Sequence, residues 1–247
     1  MKLFTLGDSH SIYSFAGIAE AKIFHCGPVT MHRAAKDGIW SLVPKNCRLR
    51  NGDMLILSFG EIDSRMHIKK RALHLDLSLE TIVDDLCLRF DKALTRFQRE
   101  CKATVSLSCI VPFNPDFADY GANDDRATRV IEERIIRRRM NMLMSEMGVP
   151  FIDFRSHFSN EDGSIVATMC DGACHIDTRQ SKPVADAVSS TLGINTTFAA
   201  PDWPPKKRVE PYHVSYSQWA KSIGKKPEKY VLRPVMQAAK RRFLPLG

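Results

Sequence analysis

The chain opens Met1-Lys2-Leu3-Phe4-Thr5-Leu6-Gly7-Asp8-Ser9-His10, and these ten residues decide how the rest is read. Residues 2–6 are apolar enough for a buried strand, and they run straight into a Gly-Asp-Ser turn. Working outward, the same pattern of a short apolar run closed by a breaker recurs four times. Residues 21–26 end at Gly27-Pro28, residues 54–59 (MLILSF) at Gly60, residues 104–111 (TVSLSCIV) at Pro112, and residues 149–154 form a short fifth run. Continuous apolar runs of this length fit strands covered on both faces, as in parallel sheets.

Amphipathic stretches lie between them. Leu79, Ile82, Val83, Leu86, Phe90, Ala93, Leu94 and Phe97 repeat at helical spacing, as do Val130, Ile131, Ile135, Met140, Leu143, Met144 and Met147. A third helix is expected over residues 183–192, with Pro183 near its start and Gly193 past its end. Arg137-Arg138-Arg139 reads as a solvated face. Alternating strands and helices imply right-handed βαβ units, hence an α/β fold: a three-layer α/β/α sandwich around a flavodoxin-like five-stranded parallel sheet. Its working site belongs at the carboxyl ends of the strands, where Gly7-Asp8-Ser9, Gly27 and Gly60-Glu61-Ile62-Asp63 converge.

Composition bounds the alternatives. With 44% hydrophobic and 26% charged residues, the 247-residue chain is that of a folded globular protein. No apolar run reaches the roughly 18 residues of a membrane span, and GDSH interrupts the run a secretory leader would need. Seven cysteines, an odd count without staple-like spacing, fit reduced thiols and a cytoplasmic location. The formal charge of +8 is carried wholly by residues 201–247, while residues 1–200 balance. A boundary is therefore expected near Ala200, separating an α/β main domain (1–200) from a basic extension (201–247) rich in proline and holding Trp203 and Trp219. That extension reads either as an arm packing Trp203, Tyr212 and Trp219 on the domain or as a contact for an anionic surface. No nucleic-acid recognition motif accompanies it, so specific nucleic-acid binding is not expected.

The chemistry points to Ser9. A serine hydroxyl at a strand-to-helix turn needs a neighbouring base, and His175 in Cys170-Asp171-Gly172-Ala173-Cys174-His175 is the candidate, with Asp171 placed to fix its tautomer. The other histidines, His10, His25, His32, His67, His74, His157 and His213, read as surface or satisfied core residues, with His67 noted for its nearness to the predicted site. The cluster Cys170, Cys174 and His175 lacks the second ligand pair of a zinc site, and no phosphate-binding glycine loop occurs, so neither metal nor cofactor is expected.

Together these blocks resemble the GDSL, or SGNH, hydrolase superfamily over residues 1 to about 195. Gly7-Asp8-Ser9 matches the first block, Gly27 the glycine of the second, Gly60-Glu61-Ile62-Asp63 approaches the G-x-N-D third block, and Asp171 to His175 approaches the last. The resemblance implies a serine esterase forming an acyl-enzyme on a small acyl ester, carbohydrate esters being a common substrate class. An O-acyltransferase using the same residues, or a non-catalytic glycan- or surface-binding protein, are the alternatives. It implies oxyanion and substrate contacts from Gly27, Gly60, Glu61, Asp63 and Arg65, with Asp8 supporting the turn. Two departures stand out: Ile62 replaces an asparagine that donates to the oxyanion, and three residues rather than two separate Asp171 from His175. Arg65 is the candidate substitute donor.

Overall fold

A computed structural model describes residues 1–45, 47–117, 125–201 and 209–211, the last as backbone. The expected features of the basic extension, Trp203, Lys206-Lys207-Arg208, Tyr212 and Trp219, lie outside the described residues.

Each apolar run forms its strand: β1 (Leu3–Gly7), β2 (Ala21–His25), β3 (Met54–Ser58), β4 (Thr104–Ser108) and β5 (Phe151–Ile152). A further short strand, β6 (Val209–Pro211), adds to the far edge, giving the order β5-β4-β3-β1-β2-β6 with every pairing parallel. Met1–Tyr212 thus makes one compact unit that includes the first part of the basic extension. Alternate residues of β1, β2 and β3 enter opposite cores. Phe4, Leu6, Phe24, Leu55 and Leu57 pack under α2 (Met31–Asp37), α4 (Leu79–Glu100) and α5 (Arg126–Ser145). Leu3, Ile23 and Ile56 pack on the other face with α6 (Lys182–Leu192) and Phe15, Phe154 and Phe158. Both faces are covered, as continuous apolar strands require.

The fourth strand stops three residues before its apolar run does. The backbone N–H and C=O of Ile110 are both taken by the Asn141 side chain of α5, at 2.7 and 3.2 Å, so the chain leaves the sheet there. That contact also turns α5. Its buried line is Ile136, Arg137, Met140, Asn141 and Met144, whereas Ile131 of the expected stripe is 60% exposed. The arginine run is corrected in the same way: Arg138 is exposed, but Arg137 is buried.

Strand order reverses at β1, since the chain passes outward to β2 and returns to β3 on the other side. The loops leaving β1 and β3 therefore part, opening a crevice at the carboxyl edge. Gly7 is compulsory there. A Cβ at this position would lie 2.0 Å from the Ser58 carbonyl oxygen, so no side chain fits between the strand ends. After β3 the chain enters a helix with a π turn over Asp63–His67 that continues as α3 (Ile68–Leu75).

Candidate active site

Asp8 begins the site. Buried at the end of β1, it accepts a 2.8 Å hydrogen bond from the His10 N–H and so caps α1 (Ser9–Tyr13). Ser9, the first residue of that turn, is set facing the loop before α6. Among the described residues, the N–H groups of Ser9 and Gly27 have no protein acceptor. Gly27 lies at φ 71°, a left-handed conformation that suits glycine.

The loop from Cys170 to Ile176 closes on itself through a bridge between those two residues. Asp171 Oδ1 accepts from the N–H groups of Ala173 and His175, at 2.8 and 3.1 Å, around Gly172 at φ 86°. The extra residue between Asp171 and His175 is absorbed in this turn. Asp171 Oδ2 then lies 2.8 Å from His175 Nδ1, and His175 Nε2 lies 2.9 Å from Ser9 Oγ. Burial pushes the Asp171 carboxyl up, but its bonds from His175 and Ala173 outweigh that and hold it below the usual range. Burial, with the nearby His10 charge, holds His175 below 6.5 against the pull of Asp171. An ionised Asp171 must accept, so the His175 proton sits on Nδ1. Nε2 is then free to accept from the Ser9 hydroxyl.

Two rings brace this imidazole. Tyr13, one helical turn after Ser9, stacks on it at 3.9 Å between centroids and 12° between planes. His10 lies on it at 4.6 Å, tilted by 42°. Sequence reasoning placed His10 among surface or satisfied core histidines; it is buried, and its partners make it more than core. Its Nε2 lies 3.0 Å from the Cys174 carbonyl, and its Nδ1 lies 3.3 Å from Asp8 and 3.8 Å from Glu61. A carbonyl can only accept, so Nε2 carries a proton, and Nδ1 faces Asp8 and Glu61, which draw a second proton onto the ring. Burial opposes that charge; Glu61 and Asp8 outweigh it and raise the His10 pKa.

The third loop departs from expectation. Glu61 is 3% exposed and gathers cations: Arg65 at 3.0 and 3.3 Å, Arg137 at 3.2 Å and His10 beyond. Burial alone would push its carboxyl up, but His10, Arg137 and Arg65 hold it at about 2. Arg65 was expected to supply the oxyanion donor in place of an asparagine. Its guanidinium is instead engaged by Glu61 and lies over the Phe117 ring at 5.6 Å. Asp63 was expected to contact substrate, yet its two oxygens accept from the Met31 and His32 N–H groups at 2.6 and 3.2 Å, pinning the start of α2. Gly60, at φ 107°, is packed: a Cβ there would lie 3.0–3.1 Å from Ile110, Met140 and Met31. Ile62 itself is half-buried on the helix that follows.

Arg137 donates to Glu133 at 2.7 Å and to the Val111 carbonyl at 2.7 Å, and so ties the third loop to α5. Asn114 secures the other side, donating to the Ala173 carbonyl at 2.8 Å. His25, at the end of β2, is near enough to feel the charges of Asp8 and His175, and burial holds its pKa below the usual imidazole value. None of these was given a place in the site from sequence. The signals were there only in part: His10 directly follows the serine, and Tyr13 follows it by four.

His10, Cys174 and His175 place three ligand-type atoms within 4.8 Å of one another. Both imidazoles already spend their nitrogens on Asp8, the Cys174 carbonyl, Asp171 and Ser9, while burial pushes the Cys174 thiol up to about 12. This donor set suits a hydrogen-bond network and not a cation.

No protein-family model and no curated relative matches the sequence. Solved structures do. A Streptococcus pneumonia protein assigned as a platelet activating factor superimposes with a TM-score of 0.54 at 13% identity, covering 77% of this chain and 83% of that one. A member of the lipolytic G-D-S-L family from Veillonella parvula follows at a TM-score of 0.47 and 14% identity, covering 78% and 98%. An acetylxylan esterase from Geobacillus stearothermophilus gives 0.48 and 14%, covering 78% and 94%. The fold is shared with the Streptococcus pneumonia protein. Gly7-Asp8-Ser9 lies at the carboxyl end of the strand where the order reverses. Among the described residues, no helix is long and apolar enough to cross a membrane.

Proposed function

We propose that this chain is a serine ester hydrolase acting through an acyl-enzyme on Ser9. The observation that carries the reading is the continuous chain Ser9 Oγ, His175, Asp171, with links of 2.9 and 2.8 Å. His175 takes the Ser9 proton as the hydroxyl attacks the acyl carbonyl, and Asp171 holds the tautomer and stabilises the imidazolium. The N–H groups of Ser9 and Gly27, which have no other acceptor among the described residues, are the donors for the oxyanion. His175 then returns its proton to the departing alcohol, and water resolves the acyl-enzyme.

The substrate is a small acyl ester, and a carbohydrate alcohol is the acceptor class carried over from the superfamily resemblance. An O-acyltransferase would use the same residues with an acceptor hydroxyl in place of water. A non-catalytic glycan-binding role draws its support from Ile62 alone, since the Asp171–His175 spacing is compensated in the turn. The basic extension remains the proposed contact for an anionic surface. Seven free thiols support a reducing, cytoplasmic compartment.

Ser9→Ala tests the reading directly. Turnover of p-nitrophenyl acetate should fall by roughly 10⁴-fold or more, with circular dichroism unchanged, and a fluorophosphonate probe should label wild type once and the variant not at all. Undiminished turnover by Ser9→Ala rules out the acyl-enzyme.

A further inference from the structure

A second concavity, separate in its lining from Ser9, His175 and Asp171, lies between α2, α3 and α4. Its walls include His32, His67, Lys70, Arg71, His74 and Arg89. The floor is apolar, formed by Ile68, Ile82 and Leu86. At about 420 Å³ it falls in the range of small-molecule sites, which run from roughly 300 to 1,000 Å³.

The polar groups of this cleft are almost all donors. Lys70, Arg71 and Arg89 are cations that can only donate. The one acidic residue of the lining is Asp63, and its oxygens are already committed to the Met31 and His32 N–H groups. Asp85, outside the lining, pairs with Arg89 at 2.8 Å and approaches Arg71 at 4.0 Å. Arg89 Nη1 lies 3.2 Å from His32 Nδ1. A guanidinium cannot accept, so His32 Nδ1 is the acceptor and its proton sits on Nε2, a further donor. Burial and the charges of Arg89, Arg71 and Lys36 hold His32 below 6.5; burial with Lys70 and Arg65 does the same to His67. Both imidazoles thus sit in a positive field.

We propose that this cleft binds an organic phosphate, a phosphate dianion carrying an apolar or aromatic group. Arg71, Arg89 and Lys70 meet the phosphate oxygens, His32 and His67 donate beside them, and Ile68, Ile82 and Leu86 take the organic group. Guanidinium forks match phosphate geometry, and the apolar floor distinguishes an organic phosphate from the free ion. Nothing in the proposed acyl chemistry requires this site, so the two stand or fall separately.

The test uses the full chain with phenyl phosphate, inorganic phosphate and phenol as probes, read by calorimetry and by the His32 and His67 imidazole resonances. Phenyl phosphate should bind saturably and raise the titration midpoints of both histidines. Inorganic phosphate should bind at least several-fold more weakly, and phenol not measurably. Arg71→Gln and Arg89→Gln should each weaken phenyl phosphate binding by ~10-fold or more, the loss of one charge-assisted contact. Ser9→Ala should leave the binding unchanged. Absence of saturable shifts at His32 and His67, or affinity insensitive to both arginine variants with the fold intact by circular dichroism, overturns the proposal. Equal affinity for inorganic and phenyl phosphate overturns the organic-phosphate assignment.

Discussion

Two histidines lie ring on ring in this molecule and are held in opposite protonation states. His175 is hydrogen-bonded to Asp171 and feels Glu61 more weakly, but it also faces the His10 cation, so burial with that charge wins and its pKa is lowered. His10, 4.6 Å away, meets Asp8 and Glu61, so the carboxylates win and the ring is charged. The residue type is alike and His10 is the deeper of the two; the surrounding charges decide, because His10 lies between two carboxylates while His175 also faces the cation of His10. The charged ring fixes the Cys174 carbonyl, one residue before the base, and the neutral ring is free to take a proton. One histidine positions the loop, and the other is the base that loop presents in the proposed mechanism.

The contrast can be broken at four points. The largest effect is expected from Asp171→Asn, which leaves the ring in place but reverses its tautomer. Ester turnover should fall by roughly 10³–10⁴-fold with little change in KM, measured on p-nitrophenyl acetate. A fall below tenfold would mean that Asp171 does not hold the proton on Nδ1.

Glu61→Gln attacks the other histidine. It strips the buried partner of His10, Arg137 and Arg65 and should destabilise the fold by about 3–5 kcal/mol, as breaking a buried ion pair does, read by urea unfolding at pH 7. The pH dependence carries the sign. With its carboxyl held at about 2, Glu61 stabilises the fold above the ordinary glutamate range, and that contribution is lost as pH falls toward about 2. His10, with a raised pKa, contributes below 6.5 and loses its contribution as pH rises through its folded value. Wild type should therefore lose its margin over Glu61→Gln at the acid end; a constant margin down to pH 2 would contradict the network.

The activity profile sharpens the comparison from the side of His175. Because its pKa is lowered, kcat/KM should rise with pH to a plateau whose acid midpoint lies below 6.5. A midpoint above 6.5 would make His175 resemble His10 and undo the distinction. The smallest effect belongs to Tyr13→Ala, which removes the ring stacked on His175. Such a pair contributes about 0.5–1.5 kcal/mol, so a several-fold loss in kcat is expected, with thermal unfolding nearly unchanged.

How far this was legible from sequence varies by loop. The strands, the long helix from Leu79 and the Gly7-Asp8-Ser9 turn were readable because each rests on local patterning: apolar runs, helical spacing, a glycine at a strand end. The stripe on α5 was misphased because its buried face includes Arg137 and Asn141, polar residues that periodicity assigns to solvent. They are buried because Glu61, Glu133, Val111 and Ile110 supply their partners, all brought near by the sheet. The third loop misled for a similar reason. Arg65 and Asp63 look like site residues in a row of letters, but Glu61 and the start of α2 claim them first.

The sequence by itself determined the order of the first five strands and the helices between them, the balance of charge between the first 200 residues and the extension, and the place of a serine at the end of the first strand. Those follow from periodicity, composition and short-range turn chemistry, which need no distant partner. Only the tertiary structure decided which histidine is charged, which arginine is buried and that Asp171 reaches its imidazole across an added residue. Protonation and ion pairing depend on distance and burial, and these are set by groups far apart in the chain, as Ser9 and His175 are.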